Sequence, residues 1–292
     1  MTPDLATALS APGRAAIPWL DPACDPERPV TLHCYRPEGF TPDSPVVLIQ
    51  HGMLRNGDEY RDFWIPAADR HGLLLVAPTF VALHWPQAEH YNNGLVLEGD
   101  RVRPRDSWAY AIPLRVFAAL QAAGVTRRAR AYLFGHSAGG QFAHRLLSTQ
   151  KHDALEAVIA GNAGWYSLPT LDTRFPAGLG GIGVTHQELV KLLAYPLTIL
   201  AGDQDTETQG PSLPSQPEAI AQGPHRFARA HHYLKAGQAE AARRNTACNW
   251  RLVPVAGIGH DGAAMSRVAA ALWFENRLIT AEEAGAQTAG AL

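Results

Sequence analysis

Short apolar runs alternate with helical patterns along most of the chain, and this alternation restricts the possible folds more than any other feature of the sequence. Runs of four to six residues are typical of strands that helices cover on both faces. Between the runs, apolar residues recur at helical spacing, as at Trp108, Ile112 and Val116. Strands that alternate with helices form βαβ units, so the sequence predicts an α/β fold with a mostly parallel central sheet of about seven to eight strands flanked by helices. The assigned strands are residues 30–35, 46–50, 73–77, 131–134, 157–160, 197–201 and 252–255.

The chain is predicted to divide into an irregular N-terminal arm over residues 1–29, a single α/β domain over residues 30–279 and a frayed tail over residues 280–292. The arm is assigned from its closely spaced prolines, which favour irregular structure on a surface; they are Pro3, Pro12, Pro18, Pro22, Pro26 and Pro29. Within the domain, residues 81–105, 168–183 and 206–224 show no clear period. Loops of this length are typically binding loops or lids, so lid-like inserts are expected there.

Composition and charge exclude several classes of protein. The 292 residues include 25 basic and 27 acidic side chains, a balance that does not indicate a nucleic-acid partner. The longest apolar runs are far shorter than the ~20 residues of a membrane-spanning helix, so no membrane partner is expected. Residues 1–18 lack the apolar segment of a secretory signal, which predicts a cytoplasmic location.

Three cysteines, Cys24, Cys34 and Cys248, cannot all pair with one another, and their spacing does not match a zinc motif. We expect reduced thiols and neither a metal nor a cofactor. A bridge between Cys24 and Cys34 in an exported form is the alternative.

A serine between glycines is the strongest chemical signal. The motif Gly135-His136-Ser137-Ala138-Gly139 follows the apolar run 131–134 and precedes a helical pattern that includes Phe142 and Leu146. A strand, a tight turn and a helix are the context of a G-x-S-x-G nucleophile elbow. The glycines leave room for that turn, and the helix N-terminus directs N–H groups toward developing negative charge. Ser137 is therefore the predicted nucleophile, and the alternative is a glycine-rich turn with an incidental serine.

Serine is a weak nucleophile that needs a neighbouring base, which an acid in turn orients. Among the 13 histidines, His260 is the favoured base, because it follows the predicted strand 252–255 and a glycine turn and precedes a helical pattern. His51 and His136 flank the site, and we expect them to orient backbone. The acid is expected between Ser137 and His260, after the strand 197–201. Asp205 is favoured over Asp203, whose alternative role is to hydrogen-bond the turn backbone.

An acyl-transfer site also needs N–H donors for the oxyanion. The apolar run 46–50 leads into His51-Gly52-Met53, which would place the Met53 N–H just past a strand and opposite the elbow. The N–H of Ala138, directly after the nucleophile, is the second candidate. The alternative is an ordinary strand-to-helix turn in which Gly52 serves the turn only.

The order Ser137, Asp205, His260 along the chain resembles that of the α/β-hydrolase family. The resemblance covers the chain from about residue 30 to residue 279. The sequence His-Gly-Met-Leu-Arg-Asn at residues 51–56 is similar to the poly(3-hydroxybutyrate) depolymerase and feruloyl-esterase-like branch. The resemblance extends to the elbow, to residues 202–205 and to residues 259–260. It implies hydrolysis of a carboxylic ester through an acyl-enzyme, with a small-molecule or oligomeric ester as substrate.

The substrate pocket is expected to form from the irregular loops beyond the strand ends. Aromatic side chains usually line small-molecule sites, and several side chains, most of them aromatic, lie in or near these loops. The predicted pocket residues are Tyr60, Trp64, His84, Trp85, Tyr91, Asn162, Trp165 and Tyr166. Each could instead be an anchor of the core or of a loop.

Two alternative functions stay open at this point. The same three side chains would serve an amidase, a peptidase, a thioesterase or an acyltransferase, and the sequence does not separate these reactions. A hydrolase-like binding protein without catalytic activity is the other alternative.

Overall fold

The computed structural model describes residues 4–285 and has an eight-stranded sheet at its centre, in the order β1-β2-β4-β3-β7-β8-β9-β10. The pairs β1–β2 and β2–β4 are antiparallel, and all other neighbours are parallel. The strands are β1 (Gly13–Asp21), β2 (Asp25–Arg36), β3 (Val46–Gln50), β4 (Leu74–Thr79), β7 (Ala131–His136), β8 (Leu155–Gly161), β9 (Thr198–Gly202) and β10 (Arg251–Val255). The predicted fold class is confirmed.

Helices cover both faces of this sheet. The longer ones are α2 (Gly57–Phe63), α3 (Ile65–His71), α5 (Ile112–Ala122), α6 (Ala138–Thr149), α7 (His186–Ala194), α9 (Arg226–Arg243) and α10 (Gly262–Phe274). Short elements complete the fold: α1 (Leu5–Ala8), α4 (Gln87–His90), α8 (Pro217–Ile220), the strands β5 (Leu97–Glu98) and β6 (Arg101–Val102), and two turns of 3₁₀ helix at Arg105–Ser107 and Ala109–Ala111.

The sheet separates two hydrophobic clusters, and the alternation of side chains along the strands divides residues between them. In β3, Val46 and Leu48 belong to one cluster, while Val47 and Ile49 belong to the other. Helices α5, α6, α7 and α9 pack into the first cluster, and α2, α3 and α10 into the second. Every residue of β3 is buried and the first four are apolar, as is typical of a strand covered on both faces.

The predicted irregular arm is wrong for residues 13–29. Residues 13–21 form the edge strand β1, which pairs antiparallel with β2, and β2 begins at Asp25 rather than at residue 30. Pro18 lies within β1 and is tolerated because this strand has a neighbour on one side only. The closely spaced prolines of this segment are therefore compatible with an edge strand and do not exclude a sheet.

The predicted frayed tail is wrong for residues 280–285, and the rest of it lies outside the described residues. Ala284 is fully buried, and Arg267 Nη1 donates a hydrogen bond to the Ala284 carbonyl at 2.6 Å. Burial of a small apolar side chain next to α10 therefore holds this segment against the domain.

Within residues 4–285, no helix is both long enough and apolar enough to cross a bilayer. All three cysteines carry free thiols, and Cys24 and Cys34 are buried.

Candidate active site

Ser137 occupies a strained turn between β7 and α6. Its backbone has φ 59° and ψ −118°, a conformation that side chains other than glycine rarely adopt. The flanking glycines allow the turn to pass close to its neighbours, since a Cβ on Gly135 would lie 2.0 Å from the Gly139 carbonyl oxygen, and one on Gly139 would lie 2.0 Å from the Gln50 carbonyl oxygen. The sequence motif thus produces a tight strand-to-helix turn that presents the serine hydroxyl.

Three side chains that are remote in sequence form one hydrogen-bonded chain. His260 Nε2 lies 2.9 Å from Ser137 Oγ, and His260 Nδ1 lies 2.7 Å from Asp205 Oδ2. The carboxylate can only accept, so Nδ1 donates to it and Nε2 is left to accept the serine proton. The carboxylate side chain is 1% exposed and the imidazole 24%, so the acid is buried behind a partly accessible histidine.

Asp205 and Asp203 have different partners. Asp205 follows β9 and reaches His260, whereas Asp203 Oδ1 accepts the backbone N–H of Gly257 at 2.8 Å. Asp203 therefore holds the turn that precedes His260.

Asn162 lies at the end of β8 and joins the two loops that carry Asp205 and His260. Its Nδ2 donates to the Gly259 carbonyl at 2.9 Å, and its Oδ1 accepts the N–H of Gly202 at 2.8 Å. Asn162 was predicted to line the substrate pocket, and this prediction is wrong, because its buried amide is fully engaged with backbone.

Arg226 pairs with the carboxylate from the side opposite the histidine. The Nη1 atom of Arg226 lies 3.3 Å from Asp205 Oδ1, and both side chains are 1% exposed. Its Nη2 donates to the carbonyl and hydroxyl oxygens of Ser212, in the long loop between β9 and α9. Sequence reasoning missed Arg226, because an arginine in the first turn of an amphipathic helix gives no signal of its own.

His51 shapes the turn after β3. Its Nδ1 donates to the Gly52 carbonyl at 2.9 Å, and its Nε2 accepts the N–H of Phe80 at 3.0 Å. Both nitrogens are therefore satisfied in the neutral ring, and burial lowers the pKa of His51 to about 3. The planar peptide directs the Met53 N–H away from the Gly52 oxygen that His51 holds.

The N–H groups of Met53 and Ala138 have no hydrogen-bond acceptor within the described part of the chain. Ala138 N–H belongs to the first turn of α6, where backbone donors lack intrahelical partners. Both Met53 and Ala138 line the same cavity as Ser137. Two N–H groups without an acceptor in the described residues thus belong to residues that line the cavity beside the serine, where an oxyanion site needs donors.

His136 supports His260 from below. Its Nδ1 is hydrogen-bonded to the Tyr60 hydroxyl at 2.8 Å, and its ring centroid lies 4.7 Å from that of His260. Burial and the neighbouring His260 hold the pKa of His136 well below its usual range. A neutral ring in this position packs against the imidazole of His260 without adding a competing charge.

A cavity of about 970 Å³ opens next to Ser137. The three irregular stretches of the sequence all contribute to it: residues 82–93, residues 173–177 and residues 211–218. These stretches line the site, as expected from the sequence.

Of the eight predicted pocket residues, only Trp165 lines the cavity, so the predicted lining is wrong for the other seven. Tyr60 and Trp64 belong to the hydrophobic cluster under α2 and α10, and Tyr166 stacks on Tyr233 at 4.3 Å in the opposite cluster. These large rings stabilise the fold when they are buried in the core, since burying one removes an extensive apolar surface from water.

The remaining predicted pocket residues anchor the long loop 81–105. Trp85 is buried and donates from its Nε1 to the Pro29 carbonyl, and the His84 carbonyl accepts from Arg28. Tyr91 stacks on His51 at 4.4 Å and donates its hydroxyl to the His51 carbonyl. Tyr91 therefore acts on the site indirectly, by fixing the turn that carries Met53.

No group of three or more histidine, cysteine, aspartate or glutamate side chains in the described residues is arranged to hold a metal ion.

Comparison with known proteins places this geometry in a family. No protein-family model and no curated protein matches the chain. A solved structure from Bordetella parapertussis, LpqC, described as a poly(3-hydroxybutyrate) depolymerase, is 56% identical, with a TM-score of 0.93 over 97% of each chain. Poly(aspartic acid) hydrolase-1 from Sphingomonas sp. KT-1 is 32% identical, with a TM-score of 0.84, over 89% of this chain and 98% of its own.

More distant likeness shows the fold alone. An S-formylglutathione hydrolase from Agrobacterium tumefaciens is 16% identical, with a TM-score of 0.59, over 91% of this chain and 95% of its own. LpqC and poly(aspartic acid) hydrolase-1 are named as a depolymerase and a hydrolase, which supports a hydrolase. Together with the mostly parallel sheet and the serine turn between β7 and α6, these matches establish that the chain belongs to the α/β-hydrolase superfamily and is similar within it to LpqC poly(3-hydroxybutyrate) depolymerase.

Proposed function

We propose that this protein is a serine hydrolase that cleaves carboxylic esters through an acyl-enzyme intermediate. Ser137 is the nucleophile, His260 the general base and acid, and Asp205 the orienting acid. The observation that carries the proposal is the unbroken hydrogen-bonded chain from Ser137 Oγ through His260 to Asp205 at the edge of an open cavity.

Acylation follows from the proton positions. His260 Nε2 takes the proton of Ser137 as Oγ bonds to the ester carbonyl carbon, and the carbonyl oxygen becomes an oxyanion. The N–H groups of Met53 and Ala138 stabilise that charge. His260 then gives its proton to the leaving alkoxide, so that an alcohol departs and the acyl group stays on Ser137.

Deacylation repeats these roles with water. His260 takes a proton from water as its oxygen bonds to the acyl carbon, and it returns a proton to Ser137 Oγ as the acid leaves. Asp205 accepts the hydrogen bond of the imidazolium and stabilises it, and Arg226 holds the second oxygen of the carboxylate.

The direct test compares hydrolysis of a p-nitrophenyl ester and the p-nitroanilide of the same acyl group. We expect the wild type to hydrolyse the ester, and the rate of hydrolysis to fall about 10⁴-fold or more in Ser137→Ala. The activity that remains in this variant would come from the oxyanion donors. The control is a denaturation curve showing that the variant is folded. Full ester hydrolysis by folded Ser137→Ala would overturn the proposal.

An amidase is the second candidate, because one relative is named as a hydrolase of poly(aspartic acid), whose units are joined by amide bonds. The anilide arm of the same assay decides between them: faster turnover of the anilide than of the ester would favour the amidase. The cytoplasmic location expected from the sequence stays a prediction, to be tested by fractionating cells that express the natural gene.

A further inference from the structure

A buried arginine lies beneath the cavity wall next to Ser137. Gln141 and Arg145 are four residues apart in α6 and therefore share one face of the helix, and Ser137 immediately precedes α6. Arg145 is fully buried and makes no ion pair with a carboxylate in residues 4–285. A buried charge without a counter-ion is expensive, so its presence at this position calls for a ligand or a network that compensates it.

The partners of Arg145 are all neutral. Its Nε donates to Ser167 Oγ at 2.9 Å, and its Nη1 lies near three acceptors: the Asn92 carbonyl at 2.9 Å, Asn93 Oδ1 at 3.1 Å and Gln141 Oε1 at 3.1 Å. Nη2 is buried without an acceptor among the described residues. The guanidinium also lies over the Trp165 ring, 4.8 Å from its centroid. These contacts place the cation but leave its charge uncompensated.

The guanidinium fixes the orientation of two carboxamides. Because arginine only donates, the oxygen atoms of Gln141 and Asn93 must face it, and the NH₂ groups must point the other way. Gln141 and Asn93 both line the cavity, as does Trp165. Neither Gln141 Nε2 nor Asn93 Nδ2 has an acceptor in the described part of the chain. Two polarised donors are thus available to a ligand beside the nucleophile.

We propose that Gln141 and Asn93 bind a carboxylate of the substrate, so that the preferred esters are half-esters of short dicarboxylic acids. This inference rests on the proposed function and names its substrate class. Arg145 is a positioning residue, which orients both amides and supplies the positive potential that favours an anion over a neutral group. Ser137, Gln141 and Asn93 line the same cavity, so a short acyl chain bonded to Ser137 can carry its carboxylate toward the two amides.

Other charged groups at the cavity do not explain such a preference as well. Arg55 already donates to the Phe80 and Gln87 carbonyls. Arg174 is exposed at the rim, where Glu89 and Glu218 also lie. A rim with both signs of charge in water gives weak and screened attraction, whereas Gln141 and Arg145 are buried.

The test uses monoethyl succinate and ethyl butyrate, which differ by a carboxylate in place of a methyl group. The measured quantity is the ratio of kcat/KM for the two esters, from release of ethanol. We expect the wild type to prefer the succinate half-ester, and the ratio to fall about 10-fold to 100-fold in Gln141→Met, since hydrogen bonds to a charged group are strong. Arg145→Met should lower the same ratio, and Gln141→Met tests the inference even where Arg145→Met does not fold.

Two results would overturn the inference. If Arg174→Gln removes the preference and Gln141→Met does not, the rim cation binds the carboxylate. If the wild type shows no preference for the succinate half-ester, no such subsite exists.

Failure of the proposed function is distinguishable from failure of the subsite. If neither ester is cleaved, binding of the same two esters to Ser137→Ala is followed by NMR. Tighter binding of monoethyl succinate, lost when Gln141→Met is added, would support the subsite without hydrolysis. Equal binding of both esters would refute it.

Discussion

Replacing Ser137 by glycine should stabilise the protein relative to replacing it by alanine, although both variants lose the hydroxyl. At φ 59° and ψ −118°, any residue with a Cβ is strained by about 1–3 kcal/mol, and glycine is not. Against this relief, glycine has more conformational freedom in the unfolded chain, which costs about 0.5–1 kcal/mol relative to alanine. The difference leaves Ser137→Gly more stable than Ser137→Ala by about 1 kcal/mol.

The measurement is the free energy of unfolding in urea for both variants. The control is Ala239→Gly, at an exposed position inside α9, where glycine should destabilise the protein by about 1 kcal/mol. The two sites should therefore give opposite signs for the same exchange of alanine and glycine. If alanine is the more stable residue at position 137 by about as much as at position 239, the backbone there is relaxed and the reasoning about the turn is wrong.

Three further predictions concern the same site. Asp205→Asn should lower kcat for ester hydrolysis by about 10⁴-fold. Because the substitution leaves the buried Arg226 without its counter-ion, it should also lower the free energy of unfolding in urea by about 3 kcal/mol or more. A free energy of unfolding equal to that of Ser137→Ala would contradict this second expectation. Burial holds the pKa values of His51, His136 and His144 below the ordinary value of 6.5, so the unfolded chain binds more protons below that pH. Stability should be complete above about pH 6.5 and fall with acid by up to about 1.4 kcal/mol per pH unit for each histidine, a slope that His144→Gln should reduce in urea titrations at several pH values. Gly139→Ala should abolish ester hydrolysis by forcing a Cβ against the Gln50 carbonyl, whereas Gly39→Ala, where the Cβ meets open space, should leave hydrolysis and the melting temperature near those of the wild type.

The central strands could be predicted from the sequence because both of their faces are buried. Residues 46–49 are apolar, and β3 has the predicted bounds 46–50. The convergence of Ser137, Asp205 and His260 was also predictable, since each follows a parallel strand and the carboxyl ends of parallel strands meet at one edge. Local sequence patterns are therefore enough to predict a site residue when its position depends only on the strand that it follows.

Patterns fail where tertiary packing decides. Pro18 indicated irregular structure, but an edge strand needs backbone partners on one side only, and β2 supplies them. Trp85 and Tyr91 are aromatic residues in a long irregular loop, which is typical of a binding site, yet both are buried and anchor that loop in the core. In the sequence, Arg145 and Arg226 resemble ordinary surface residues of amphipathic helices. Only the fold shows that both are buried, that Arg226 pairs with Asp205, and that Arg145 has no counter-ion in the described residues.

The most direct test of the account is covalent labelling with a fluorophosphonate, followed by intact mass measurement and peptide mapping. A base-activated serine next to free oxyanion donors should take up one phosphonyl group, at Ser137, at a rate that falls sharply in His260→Ala. A folded wild-type protein that remains unmodified, or that carries the adduct on another residue, would contradict the claim that Ser137, His260 and Asp205 work together.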